Sequence, residues 1–162
     1  MNYSNYKNEL AQFSKNASDD EVRDFIEINV KKYPHKTLSI IKASFAALKD
    51  DKPAISYAVT KEYINDIRDL KFLKVFKKRL NQYLDSGVID EQEYKKIHKQ
   101  LLLNDIVENF LEESQKDSFQ AFENLDNKLE KYYYLKKTAV TRLLKRLDSG
   151  SDIYEKIKRE YR

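Results

Sequence analysis

No cysteine occurs among the 162 residues, so disulfides, thiolate nucleophiles and cysteine-bound zinc are excluded. A chain without cysteine fits a cytoplasmic protein. Glycine occurs twice, at Gly87 and Gly150, and two glycines 63 positions apart cannot build a phosphate-cradling loop. The two histidines, His35 and His98, have no second ligand at helical spacing, so no metal site is expected. No Gly-x-Ser-x-Gly elbow is present. Acid pairs such as Asp19-Asp20 and Glu112-Glu113 lie in polar stretches where carboxylates are usually solvated. The longest aliphatic run, Leu101-Leu102-Leu103, is far short of a membrane span, and the Met1-Asn2-Tyr3-Ser4 start has no basic or apolar leader. The expectation is a protein that is not an enzyme, uses no cofactor and does not enter a membrane.

What remains is helix-forming material. Charged residues make up 36% and apolar residues 41%, with only two prolines to interrupt them. The pattern predicts an all-α bundle of about six to seven helices built around antiparallel helical hairpins. Three short helices are expected in residues 1–52 and a helical-hairpin region in residues 53–162, the two packed as one domain.

Tyr3, Tyr6, Leu10 and Phe13 have helical spacing and predict a first amphipathic helix. Ser18 and Glu21 form a capping-box pattern, and Val22, Phe25, Ile26 and Val30 make the buried stripe of the helix it starts. Pro34 ends that helix. A third is expected from about Lys36 to Lys49 with Leu38, Ile41, Phe45 and Leu48 inward and alanines allowing close approach. Residues 53–84 contain no breaker after Pro53 and read as one helical region, kinked near Asn65-Asp66. Leu73, Phe76, Leu80 and Tyr83 form its clearest apolar stripe. Asp90 to Ser149 lacks glycine and proline, but one helix of that length would span about 90 Å. A break is expected at Ser114-Gln115-Lys116-Asp117, with Asn124 to Asn127 as second choice.

Arg79-Leu80 through Leu84-Asp85-Ser86-Gly87 returns as Arg142-Leu143 through Leu147-Asp148-Ser149-Gly150. The match points either to a duplicated hairpin or to shared helix-stop chemistry, since glycine supplies a left-handed residue at a helix end. Leu80, Leu84, Gly87, Val88-Ile89, Asp90, Glu93 and Tyr94 also resemble the short helical hairpin module, of the short C-terminal domain type, found in many bacterial proteins. That resemblance covers residues 80–103, lies mid-chain and implies a helical hairpin; it carries no inference about activity.

Net charge is only +4, but its signs are segregated. Residues 68–79 carry six basic and one acidic side chain, residues 131–146 six basic and none acidic, and residues 105–126 seven acidic and one basic. The candidate binding face consists of Lys71, Lys74, Lys78 and Arg79 in the first tract. Lys131, Tyr134, Arg142, Lys145 and Arg146 supply it in the second. Twelve tyrosines and eight phenylalanines form an aromatic load typical of contact surfaces. The expected function is a small non-enzymatic protein-interaction or regulatory module, of the adaptor or inhibitor kind carried by bacterial mobile elements. The alternative is a nucleic-acid-binding protein using the faces of 68–79 and 131–146, where lysines would meet phosphates and tyrosines would stack on bases. The acidic stretch 105–126 would serve a basic partner or pack beside the chain's own basic helices, and self-association through aromatic faces is a further expectation.

Overall fold

The computed structural model describes residues 2–161, and every regular element among them is helical. The α-helices are α1 (Tyr3–Ser14), α2 (Asp19–Lys32), α3 (Thr37–Leu48), α4 (Pro53–Glu62), α5 (Leu70–Asp85), α6 (Glu91–Ser114), α7 (Ser118–Lys131), α8 (Lys136–Arg146) and α9 (Asp152–Tyr161), with 3-10 turns at Pro34–Lys36 and Tyr133–Leu135. The all-α class is as expected. The described residues hold nine α-helices, more than the six or seven anticipated, because two breaks occur without glycine or proline.

The first break splits residues 53–84. After Glu62 the chain tightens into i→i−3 bonds, from Tyr63 N–H to the Thr60 carbonyl (3.2 Å) and from Asp66 N–H to the Tyr63 carbonyl (3.0 Å). Buried Ile64 and Ile67 anchor this connection. Asp69 then restarts the helix by accepting from the Lys71 and Phe72 amides at 3.0 and 3.2 Å. The expected kink at Asn65-Asp66 is a full helix end. The second break is at Tyr132–Leu135, where the 3-10 turn sinks Leu135 into the core and leaves Tyr133 and Tyr134 exposed. The break at Ser114–Asp117 is where the capping pattern placed it: Asp117 accepts from the Gln120 amide at 3.1 Å. Asn124 to Asn127 lies inside α7.

The chain packs into two compact units, Met1–His98 and Lys99–Arg162. The boundary between them falls within the residues of α6. Helices α3 and α4, either side of Pro53, pack together inside the first unit.

In the first unit α3 is the central element, touching α1, α2 and α4. Ala43 and Ser44 are buried there and let α1 approach, and the Ser44 hydroxyl shares a 3.0 Å hydrogen bond with Tyr6. Ile40, Ile41, Phe45 and Leu48 face inward, whereas Leu38, expected inside, is exposed. In α1 only Tyr6 and Leu10 of the four predicted residues are buried; Tyr3 and Phe13 lie on the rim, and Phe13 stacks on Phe25 at 4.9 Å. In α2 Val22 and Ile26 are buried while Phe25 and Val30 are half-buried. The capping box at Ser18 and Glu21 forms in full. Asp90 and Glu93 have the same capping-box spacing, and here it forms by half: Asp90 accepts from the Glu93 amide at 2.8 Å, but the Glu93 carboxylate turns to α4 instead. There it pairs with Lys61 and accepts from the Tyr57 hydroxyl at 2.8 Å. These bonds, that from Lys61 foremost, hold the Glu93 carboxyl below its ordinary range.

The α5 stripe Leu73, Phe76, Leu80 and Tyr83 is buried as its spacing predicts. Ser56 sends its hydroxyl proton to the Phe45 carbonyl at 3.2 Å, and the buried Tyr83 hydroxyl beside Ser56 makes no hydrogen bond of good geometry among the described residues. Leaving a buried hydroxyl unpaired costs about 1–3 kcal/mol. Tyr83→Phe keeps the ring and removes that cost, so it is expected to raise unfolding stability by about 1 kcal/mol in urea titrations. A loss of stability would show that the hydroxyl is satisfied.

The second unit closes around Ile106, Val107 and Phe110 of α6, Phe122, Leu125 and Leu129 of α7, Ala139 and Leu143 of α8, and Ile157 of α9. The two Leu-Asp-Ser-Gly corners differ. At the first, Leu84 and Asp85 are still helical, and Gly87 (φ +78) lets Val88 N–H reach the Tyr83 carbonyl (2.9 Å) and Gly87 N–H the Leu84 carbonyl (3.2 Å), a Schellman closure. At the second, Leu147 is already extended (φ −91, ψ 152). A separate turn follows, closed from Ser151 N–H to the Asp148 carbonyl at 3.1 Å with Gly150 at φ +92. Ser151 then caps α9 by accepting from the Tyr154 amide at 3.2 Å. One tetrapeptide thus makes two different turns.

Candidate functional site

Helices α8 and α9 pack side by side in the second unit and leave between them a groove of about 720 Å³. Its floor is Val140 and Leu144, one helical turn apart on α8. Tyr133, Tyr154 and Tyr161 form the walls, and Lys136, Lys137, Thr141 and Lys145 line the α8 side. No acidic side chain lines it. Lys136, Lys137 and Lys145 are exposed and have no carboxylate within ion-pair distance among the described residues. The Tyr161 hydroxyl donates to Asp126 of α7, and burial first, then this bond, pushes its pKa above the ordinary value. Its ring lies parallel to Phe122, which fixes that wall.

The predicted residues of the second tract separate. Lys145 lies in the groove. Arg142 and Arg146 turn the other way, toward α6: Arg142 donates to Asn104 Oδ1 at 2.7 Å, and Arg146 forms a bidentate pair with Glu108. Burial draws the Arg142 guanidinium below its ordinary pKa. The acidic α6 therefore neutralises part of the chain's own basic helix. Lys131 and Tyr134 are exposed beside the 3-10 turn; Lys131 sits over the Tyr132 ring at 5.3 Å, and Lys99 over the Tyr134 ring at 5.8 Å.

In the first tract, Lys71, Lys74 and Lys78 share the exposed face of α5, with Lys77 beside them. Arg79 does not belong to that face. It bridges to the end of α3, bonding the Lys49 carbonyl at 3.4 Å and Asp50 at 3.1 Å, where the helix dipole favours a cation. The matched arginines Arg79 and Arg142 are thus both half-buried ties within their units.

A smaller groove of about 380 Å³ lies between α2 and α4 in the first unit. Arg23 and Lys31 line it together with Glu27 and Glu62, so it favours neither sign of charge. The α8–α9 groove, by contrast, carries three lysines and no acid over an apolar floor.

Sequence reasoning missed Tyr133, Lys136, Lys137, Val140, Thr141, Leu144, Tyr154 and Tyr161 as parts of one surface. The two lysines lie inside the basic tract, but Tyr154 and Tyr161 follow the Gly150 corner and join only through helix packing. Among the described residues no group of His, Asp or Glu side chains is placed to hold a metal, and no helix is long and apolar enough to cross a membrane. No family model, curated protein or solved structure matches the chain.

Proposed function

We propose that this chain is a non-enzymatic helical protein-interaction module, adaptor or inhibitor in type, that grips an acidic amphipathic segment of a partner protein between α8 and α9. The observation that carries this reading is the unmixed lysine rim over the Val140–Leu144 floor. An apolar floor rewards an aliphatic or aromatic anchor, and the tyrosine walls add contact area at low entropy cost. Lysines at the rim set register and speed encounter with an acidic face more than they add affinity. A phosphate backbone gains nothing from the aliphatic floor, which is why a protein segment is favoured over a nucleic acid.

One observation supports the nucleic-acid alternative. Tyr133 and Tyr134 are 76% and 55% exposed beside Lys131, Lys136 and Lys137, the combination that holds single strands by stacking and charge.

Fluorescence anisotropy tests both. The probes are a designed helical peptide with leucines on one face and glutamates flanking them, its scrambled control, and a single-stranded oligonucleotide, each over a salt series. The ordered peptide is expected to bind, and Lys137→Glu with Lys145→Glu to weaken it by about tenfold or more, or roughly 1.4 kcal/mol. Oligonucleotide binding with a steep salt slope and no binding of the peptide would replace this reading with the alternative.

A further inference from the structure

The second unit carries its own acidic amphipathic helix. One face of α7 is buried through Ala121, Phe122, Leu125 and Leu129. Flanking that face, Phe119, Glu123, Asp126 and Glu130 follow at spacings of 4, 3 and 4, all exposed. Phe119 is 75% exposed, a large ring with no core to enter. This row complements the lysine rim of the α8–α9 groove: an exposed ring followed by carboxylates.

The spacings also agree. Glu123 to Glu130 covers about 10 Å along α7, and Lys137 to Lys145 about 12 Å along α8. Phe119 lies four residues before Glu123, as the exposed Tyr133 lies four before Lys137. A parallel placement therefore sets ring on ring at one end and two carboxylates on two lysines beyond it. The donor and acceptor surfaces adjoin within the unit, since Tyr161 of the groove wall bonds Asp126 of α7.

We infer that a second copy of this chain docks α7 in the α8–α9 groove, reciprocally, so that a closed pair buries both grooves and withholds them from a partner. The inference rests on the groove being a site for acidic helices. Reciprocal docking uses the same two patches on each chain and closes at two copies, whereas one-way docking would propagate into open assemblies.

Sedimentation velocity on the full chain, over a range of concentration and salt, reads the prediction. A monomer–dimer equilibrium is expected at low salt, shifting toward monomer as salt screens the exposed pairs. Lys137→Glu/Lys145→Glu and Glu123→Lys/Glu130→Lys are each expected to be monomeric, with unchanged helicity by circular dichroism because all four side chains are exposed. Mixing the two variants is expected to restore dimer as the hetero-pair, whose charges are complementary in both grooves. Phe119→Ala is expected to weaken association by about tenfold. A chain that stays monomeric throughout, or dimers indifferent to both charge reversals, overturns the inference. If the chain stays monomeric while the designed acidic peptide still binds, the groove reading survives and only self-docking fails.

Discussion

Phe76→Ala is expected to destabilise the first unit by about 3–5 kcal/mol, the range for removing a fully buried phenylalanine from a packed core. Phe76 has no solvent exposure and is the hub of an aromatic cluster that ties three helices together. Its ring stands edge-on to Phe45 of α3 (5.8 Å, 72°) and stacks on Tyr57 of α4 (6.0 Å, 12°). Phe72 and Tyr83 of α5 flank it at 6.5 and 6.3 Å. Deleting the ring removes transfer free energy, leaves a void these rigid neighbours cannot collapse into, and forfeits aromatic pairs of about 0.5–1.5 kcal/mol each. Phe76→Leu fills most of the volume and is expected to cost well under half as much. Urea unfolding followed by circular dichroism measures both; equal costs would mean that the void, and not only the ring geometry, is relaxed by neighbouring helices.

That hub shows which parts of the fold were legible. Leu73, Phe76, Leu80 and Tyr83 repeat at helical spacing with lysines between them, so periodicity alone marks both the helix and its inward face. Helix ends were legible where a side chain caps locally, as at Ser18 and Asp117. They were not legible where packing ends the helix. Nothing local forbids helix at Tyr63–Asp66 or Tyr132–Leu135; the chain leaves it there because Ile64, Ile67 and Leu135 are buried by neighbouring helices. Leu38 and Ile40 show the same limit at the level of a face, since the helical spacing that selected Leu38 could not reveal that α3 is covered on several sides.

The basic tracts were legible in sign but not in arrangement. The tract 131–146 was correctly basic, yet α8 distributes its cations around the helix. Arg142 and Arg146 fall on the α6 side, Lys137 and Lys145 on the groove side. A count of charges cannot separate cations that a neighbouring carboxylate already holds from those left for a ligand. The arginines, whose planar forks suit bidentate and part-buried contacts, became the ties, and the lysines remained at the surface. Likewise, two tyrosines of the groove wall belong to α9, beyond a corner whose turn differs from that of its sequence twin at Gly87.

The Glu108–Arg146 tie gives the second large effect. Glu108→Leu is expected to destabilise the second unit by about 2–3 kcal/mol, because the guanidinium is left part-buried without its carboxylate. The pair is bidentate, with side-chain exposures of 13% for Glu108 and 26% for Arg146, so solvent screens it less than a surface pair. Glu108→Leu with Arg146→Met is expected to recover most of the loss, since replacing both members of such a pair by apolar residues of similar size is close to neutral. The two singles and the double form a cycle in urea unfolding, and a coupling near zero would show that the pair contributes nothing beyond its separate packing. The same cycle reaches the groove. Arg146 is the last residue of α8, and with Arg142 on Asn104 it holds that helix against α6. The single Glu108→Leu variant is therefore expected to bind the acidic peptide more weakly, although Glu108 does not line the groove, and the double variant to regain affinity along with stability. Affinity that stays constant while stability falls would place the positioning of α8 elsewhere, in the Ala139–Leu143 core contact alone.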